Sequence, residues 1–571
     1  VTLGERDPAT QLDRRAFLRS ASAAVGAAAL ATAGAASADA ATSGGSGPQA
    51  SSVFRHSVAS GDPLPDRVIL WTRVTPDDAA VPGSGTGRPT AVHWEVSTSP
   101  QFAAIVSSGD YVTSPDRDHT VKVDATGLRP ASRYFYRFTI ADGPHKGVTS
   151  VTGRTKTAPP ADTDNDLLKF AVCSCSNYET GFFNAYRAMA DRDDIDFVLH
   201  LGDYTYEYAS GEYLGKYLEI VRRVQPLKNT VTLKDYRIRQ GKHHEDPDLA
   251  RCHALHPWVC MWDDHETADN SYDGGAEDHF PEFQGSWADR KRAADEAYFE
   301  WMPVRPNSID GGEHLYRRFT FGKLVDLVVP DLRSYRSKQT YIGTDTPEQT
   351  ITGNAQLDWL RTSLTTSKTR WQVVGNEVMI VPLVVPWVIN PDLVDFLHSK
   401  FDYIPRDGLL VDNDQWDGYA DERHELLSAI DAAGKKSVVF VTGDIHSSWV
   451  SEIPLNTVHY GKNAKGRVVA CEFTPPSITA PSGYDEIALN EAAASVCADA
   501  VSVAQSAIKA ADPWIKDVEL TSHGFGILGV TPERATMEWY FVEDIQDPQS
   551  RVSLAKRWYT EHGKPKVIKS L

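Results

Sequence analysis

The chain is 571 residues long, more than one hydrophobic core usually holds, which points to at least two domains. Apolar residues at 41% and aromatics at 10%, with 14 tryptophans and 22 tyrosines, exclude a disordered chain. A formal net charge of -19 excludes a protein that grips nucleic acid through its phosphates, but not one that acts on a phosphate-bearing substrate, because metal cations can reverse the sign of a site locally.

Residues 1–40 read as an address. In "DRRAFLRS", Arg14 and Arg15 precede Phe17 and Leu18, and the uncharged stretch Ser20 to Ser37 is mostly alanine. That is the pattern of a twin-arginine export signal, which hands a folded protein to the twin-arginine translocase. Ala36, Ala38 and Ala40 offer two overlapping A-x-A cleavage sites, so the mature chain is expected to begin at Asp39 or Ala41 and to be secreted. No later stretch reads as a membrane span.

After a Ser/Gly/Pro-rich entry, residues 53–157 carry short apolar runs separated by turn residues: "RVILWTRV", "AVHWEVS", "HTVKVDATGL" and "SRYFYRFTI". This spacing predicts an N-terminal immunoglobulin- or fibronectin-like β-sandwich, and "LRPASRYFYRF" resembles the tyrosine corner of such folds. The segment "TKTAPPADTDND" reads as a linker. Beyond it, residues 166–550 alternate strand-like runs ("LLKFAV", "DIDFVLHL", "PWVCMW", "KLVDLVVPDL", "WQVVGN", "KSVVFVTGD") with helical segments, the signature of an α/β layered domain. One helix is expected from about Ala288 to Trp301, with Ser286 and Asp289 as its capping box and Ala294, Ala297, Tyr298 and Trp301 as its core stripe. Residues 551–571 read as a C-terminal tail. The six cysteines of an exported chain predict three disulfides, with Cys252–Cys260 and Cys471–Cys497 plausible from their spacing and the connectivity left open.

Four strand exits end alike, in residues able to hold metal: "AVCSCSN", "HLGDYTY", "MWDDHE" and "FVTGDIHSS". In α/β folds such exits converge beyond the carboxyl ends of the strands. A carboxylate such as Asp203 can bridge two metals, hard oxygens suit calcium or magnesium, and a phenolate such as that of Tyr206 suits a strongly Lewis-acidic ion such as Fe3+. Each residue also has a plainer reading: Cys175 as a buried thiol or partner of Cys173, Tyr206 as packing, His446 as a core histidine. His200 reads as structural, and Arg333 and Arg336 as either phosphate contacts or salt-bridge partners.

As a set, GDxxY followed by DHE and GDxH resembles the purple-acid-phosphatase branch of the calcineurin-like metallophosphoesterases. It is closer still to the PhoD-type alkaline phosphatases and the iron-dependent phospholipase D enzymes related to them. "CSCSNYETGFF", "TLKDYRIRQ", "DPDLARCHALHPWVCMWDDHE", "DLRSYR" and "VTGDIHSSW" carry the resemblance along essentially the whole chain. It implies an α/β fold, a β-sandwich followed by a layered α/β/β/α metallophosphoesterase domain. It also implies Fe3+ held by Cys175, Asp203, Tyr206 and His446, with Asp203 bridging to a Ca2+ site served by Asp264 and Asp444. His265 is left as proton donor to the leaving oxygen. Asp269 and Asn270 depart from the family's usual run and are not assigned. The expected activity is hydrolysis of phosphate monoesters and diesters, the alternative being phospholipase D action on phospholipid head groups. A rival of another class is a secreted binding protein whose metals are structural.

Overall fold

The computed structural model describes residues 52–305, 314–340, 344–387, 389–400, 405–488 and 491–571; the export signal with Arg14 and Arg15 lies outside the described residues. Two large mixed sheets form the frame. The first has ten strands, and its middle is a parallel set: Leu168–Cys173 beside Phe197–Leu201, then Pro257–Met261, then Val58–Gly61. The second has seven strands, with Val325–Val329, Trp371–Asn376, Val438–Thr442 and Val468–Thr474 running parallel.

The parallel strands are continuous apolar runs because both of their faces are covered. Leu199 and Leu201 of the first sheet share a core with Val373 and Val441 of the second. Tyr186 and Met189 of helix Asn184–Ala190, and Leu249 of helix Pro247–Leu255, join that core on the outer side. Helices Asn354–Thr366 and Ala420–Ala432 cover the far face of the second sheet through Leu360, Leu364, Leu426 and Ile430. The order of layers is helix, sheet, sheet, helix, as expected. Helix Trp287–Trp301 starts at Ser286, whose hydroxyl accepts the Asp289 N–H, and it buries Ala294, Ala297, Tyr298 and Trp301.

The N-terminal sandwich differs from a free-standing domain in one respect. Its outer sheet is its own, formed by Ile105–Thr113, Thr90–Ser97, Arg133–Ile140 and Gly153–Lys156. Its inner layer, Val58–Gly61, Arg67–Arg73 and Thr120–Thr126, continues the ten-stranded sheet. The alternating burial of Arg133–Ile140 places Tyr134, Tyr136, Phe138 and Ile140 in the sandwich core with Leu70, Val92 and Val121. Tyr134 Oη accepts the Arg129 N–H at 2.7 Å, which makes the corner.

Two sequence expectations are corrected here. Residues 551–571 are no tail: strand Val552–Glu561 pairs with Arg534–Val542, and strand Lys564–Lys569 pairs with Val552–Glu561 to form the edge of the ten-stranded sheet. None of the six cysteines, all among the described residues, is in a disulfide. Their sulfurs are directed to different neighbours: Cys173 to the Leu199 carbonyl, Cys471 to the Thr560 hydroxyl, Cys497 to the Ile487 carbonyl. Cys252 and Cys260 are packed as small apolar side chains in the main core, where burial pushes their thiols up.

Among the buried histidines, His56, His200, His244 and His253 lie against Trp71, Trp258 and Trp301, and His243 lies against Tyr178, Phe183 and Tyr204. Burial lowers the pKa of each of these five, to about 3 for His200 and His244. They therefore stay neutral in the folded protein, whereas the unfolded chain takes up their protons below its ordinary value of about 6.5. Stability is expected to fall as pH drops below about 6.5, by up to about 1.4 kcal/mol per pH unit for each imidazole. Urea unfolding of the metal-free protein between pH 7.5 and 5 measures this, and a flat profile would contradict it.

Candidate metal centre

The four strand exits meet at one end of the two sheets. Cys175, Asp203, Asp444 and His446 each follow a parallel strand by two to four residues, and all four adopt left-handed backbone angles, with φ of 63°, 56°, 61° and 51°. Non-glycine residues pay for that conformation, and its concentration here marks a place where the chain is bent to bring side chains together. Gly202 (φ 92°) permits the closest approach: a Cβ there would lie 2.3 Å from that of Asp263.

All seven residues singled out from the sequence lie in this cluster. Donor atoms of Cys175, Asp203 and His446 lie within 4.8 Å of one another, and so do those of Asp203, Asp263, Asp264 and Asp444, and those of Asp203, Asp264 and His265. Asp203 is common to all three groups. Tyr206 Oη donates to Asp203 Oδ2 at 3.1 Å and lies 3.1 Å from His446 Nε2. The other ring nitrogen, His446 Nδ1, sits 2.8 Å from the Pro481 carbonyl, which must accept its proton and so leaves Nε2 with a lone pair aimed at Asp203 and Tyr206.

Electrostatics set the demand for cations. Asp203, Asp263, Asp264, Asp414 and Asp444 are buried together. Arg333, buried as well, pairs with Asp414 at 2.8 Å and with Asp263, and stands 3.7 Å from Asp264 and 3.6 Å from Asp444. It is thus a counter-ion to these acids, and Arg336 likewise bonds Asp414 at 2.9 Å and the Tyr419 hydroxyl. These cations and His265 leave the acids in excess. Burial, reinforced by Asp264, Glu266 and Asp444, pushes the Asp203 carboxyl far above the usual range, and its Oδ1 is buried with no hydrogen-bond partner. A buried carboxylate oxygen without a donor, shared by two donor sets, is what a bridged pair of metal ions would satisfy. One set offers thiol, phenol and imidazole, which suit a trivalent or transition metal; the other is all carboxylate and suits a hard divalent ion.

Residues that the sequence reading passed over complete the cluster. The Glu266 carboxylate accepts the backbone N–H groups of Asp203 (3.0 Å), Tyr204 (2.7 Å) and Asp263 (2.8 Å), tying two loops together, and burial raises it to about 7. Gln415 Nε2 donates to Asp444 Oδ2 at 2.5 Å. Asp263 stood beside Asp264 in "WDDHE" and carried a readable signal; Asp414 and Gln415 come from an irregular segment with none. The centre opens into a pocket of about 420 Å³ lined by Tyr208, Tyr213, His265, Asp269, Asp444 and Glu486 among others.

Two facing mixed sheets with carboxylates, imidazoles and a thiol gathered at the carboxyl ends of their parallel strands define a metallophosphoesterase of the calcineurin-like kind. The PhoD-like phosphatase family matches residues 170–539, and the PhoD-like phosphatase N-terminal domain matches residues 37–159. Alkaline phosphatase D of Bacillus subtilis (strain 168) is 34% identical over 443 residues, spanning 75% of this chain and 70% of that protein. The solved structure of PhoD is 29% identical with a TM-score of 0.76, over 90% of this chain and 92% of that one. The chain belongs to the PhoD-like phosphatase family and is a phosphoric ester hydrolase.

Proposed function

We propose that the protein is a secreted alkaline phosphatase that hydrolyses phosphate monoesters and diesters, exported by the twin-arginine translocase. In this reading Cys175, Asp203, Tyr206 and His446 hold Fe3+, and Asp203, Asp264 and Asp444 hold Ca2+. The observation that carries it is the sharing of Asp203 between a thiol–imidazole donor set and an all-carboxylate one. When bound, the ions supply Lewis-acid polarisation of the phosphoryl oxygens. The chain's own contributions are orientation and proton transfer. Asp264 is held by the N–H groups of His265 (3.0 Å) and Asn270 (2.7 Å), and Asp444 by Gln415. His265 faces the pocket beside Asp264, with Glu207 at 2.8 Å from its Nδ1, which is the placement a proton donor to the leaving oxygen requires.

The test is to express the full chain, recover enzyme from the medium, and measure iron and calcium alongside activity on alkyl and aryl phosphates. Iron with a visible charge-transfer band, and activity lost to a calcium chelator and restored by calcium, are expected. Colourless, iron-free, fully active enzyme, or activity confined to the cells, would refute the corresponding part. His265→Ala should keep its metals yet lose about a hundredfold to ten-thousandfold on alkyl esters, with much less loss on activated aryl esters. Equal loss on both would end the proton-donor role.

A second reading, phospholipase D action on phospholipid head groups, is supported by Phe280 and Phe283, 50% and 89% exposed in the segment that follows pocket-lining Asn270. The ratio of rates on phospholipid vesicles and on soluble diesters separates the two.

A further inference from the structure

Glu207 directly follows Tyr206 in "GDYTYEY", and nothing in the sequence marks it as more than one acid among tyrosines. In the structure it is 1% exposed, and both its oxygens are spent on the loop that carries His265: Oε2 lies 2.8 Å from His265 Nδ1, and Oε1 accepts the Asp269 N–H at 2.6 Å. Its backbone is pinned on either side. The buried guanidinium of Arg239 donates to the carbonyls of Tyr206 and Tyr208, the latter at 3.0 Å, and the Glu207 carbonyl itself accepts the Thr230 N–H at 2.8 Å.

Tyrosine rings crowd the imidazole of His265 as well. The ring of Tyr206 lies 4.3 Å from it at 35°, and that of Tyr208 at 5.3 Å. With Nδ1 held by a carboxylate and the Tyr206 ring packed against it, the imidazole is held with Nε2 4.0 Å from Asp269 Oδ1, both residues lining the pocket. A carboxylate accepts only, so the hydrogen between the two residues belongs to Nδ1.

We propose that Glu207 is the positioning residue of the hydrolytic reaction: through Nδ1 it fixes the His265 ring so that Nε2 presents its proton to the leaving-group oxygen. The proposal rests on the reading of His265 as proton donor. The proton passes from Nε2 to the ester oxygen as the P–O bond breaks, and water, which supplies the new P–O bond, provides the proton that restores the ring. Arg239 and Thr230 act one step further out, by holding the backbone that places Glu207.

The experiment compares alkyl and aryl phosphate hydrolysis by metal-loaded Glu207→Ala, Glu207→Gln, His265→Ala and the double variant, with metal content measured for each. Loss of an outer hydrogen-bond partner typically costs about ten- to a hundredfold. Glu207→Ala should lose that much in kcat on alkyl esters, with a smaller loss on aryl esters and metals retained. Glu207→Gln, whose amide oxygen still accepts from Nδ1, should recover part of the alkyl activity; it also serves should the alanine variant fail to fold. The double variant should be no slower than His265→Ala alone, because residues that act as one unit do not lose additively. Multiplying losses, equal loss on both ester classes, or loss of metal from the Glu207 variants would overturn the positioning role while leaving His265 in place. If His265→Ala itself fails to separate the ester classes, the proton-donor reading falls and this inference with it.

Discussion

Asp203→Asn is expected to empty both donor sets and to abolish phosphoesterase activity. Asp203 is the only residue common to the thiol–imidazole set and the carboxylate set among the described residues, so no single other substitution touches both. Asparagine is the fitting replacement because it matches the aspartate in size and tolerates the left-handed backbone found there, φ 56°. Metal ions contribute several kcal/mol of transition-state stabilisation. At about 1.4 kcal/mol per tenfold, kcat should fall by at least about a thousandfold. The same substitution should leave the metal-free protein no less stable, since it removes a buried charge crowded by Asp264, Glu266 and Asp444. Elemental analysis, turnover on a phosphate monoester and thermal melts of the metal-free proteins check these together. A variant that retains a full complement of either metal would show that Asp203 is not the bridge.

Arg333→Met should act in the opposite sense, on the fold first. The guanidinium is buried against Asp263 and Asp414 and within 4.0 Å of Asp264 and Asp444, so its removal leaves several carboxylates confined without their counter-ion. Breaking a buried pair from one side typically costs about 3–5 kcal/mol. That loss should appear in full in the metal-free protein. It should shrink when iron and calcium are present, because ions that bind only the folded state neutralise the same acids and stabilise it by mass action. Chemical denaturation with and without metals gives both numbers. An unchanged metal-free stability combined with a raised KM would instead make Arg333 a contact to the substrate phosphate.

Much of the site was legible because its chemistry is written in local patterns. A run of buried apolar residues that stops at Gly202–Asp203, Asp263–Asp264 or Gly443–Asp444 announces a strand and its exit together, and exits of parallel strands face the same way. The alternation of Arg133–Ile140 and the cap at Ser286 are local in the same sense. Glu266 and Glu207 were not legible: each acts on a partner 58 or more residues away, and an acid beside a ligand looks the same whether it faces solvent or clamps a distant loop.

The sequence by itself determined the strands, their exits and the residue types presented there, since these follow from backbone period and turn chemistry over a few residues. It also determined, through its motifs, the family of the enzyme. Only the tertiary structure decided which segments pair. It drew Val58–Gly61 and Val552–Glu561 into the sheet that carries Cys175 and Asp203, left the cysteines outside any disulfide, and seated Arg333 among the aspartates. Those outcomes depend on the free energy of burying whole faces against one another, a quantity that belongs to segments hundreds of residues apart and to no local stretch of the chain.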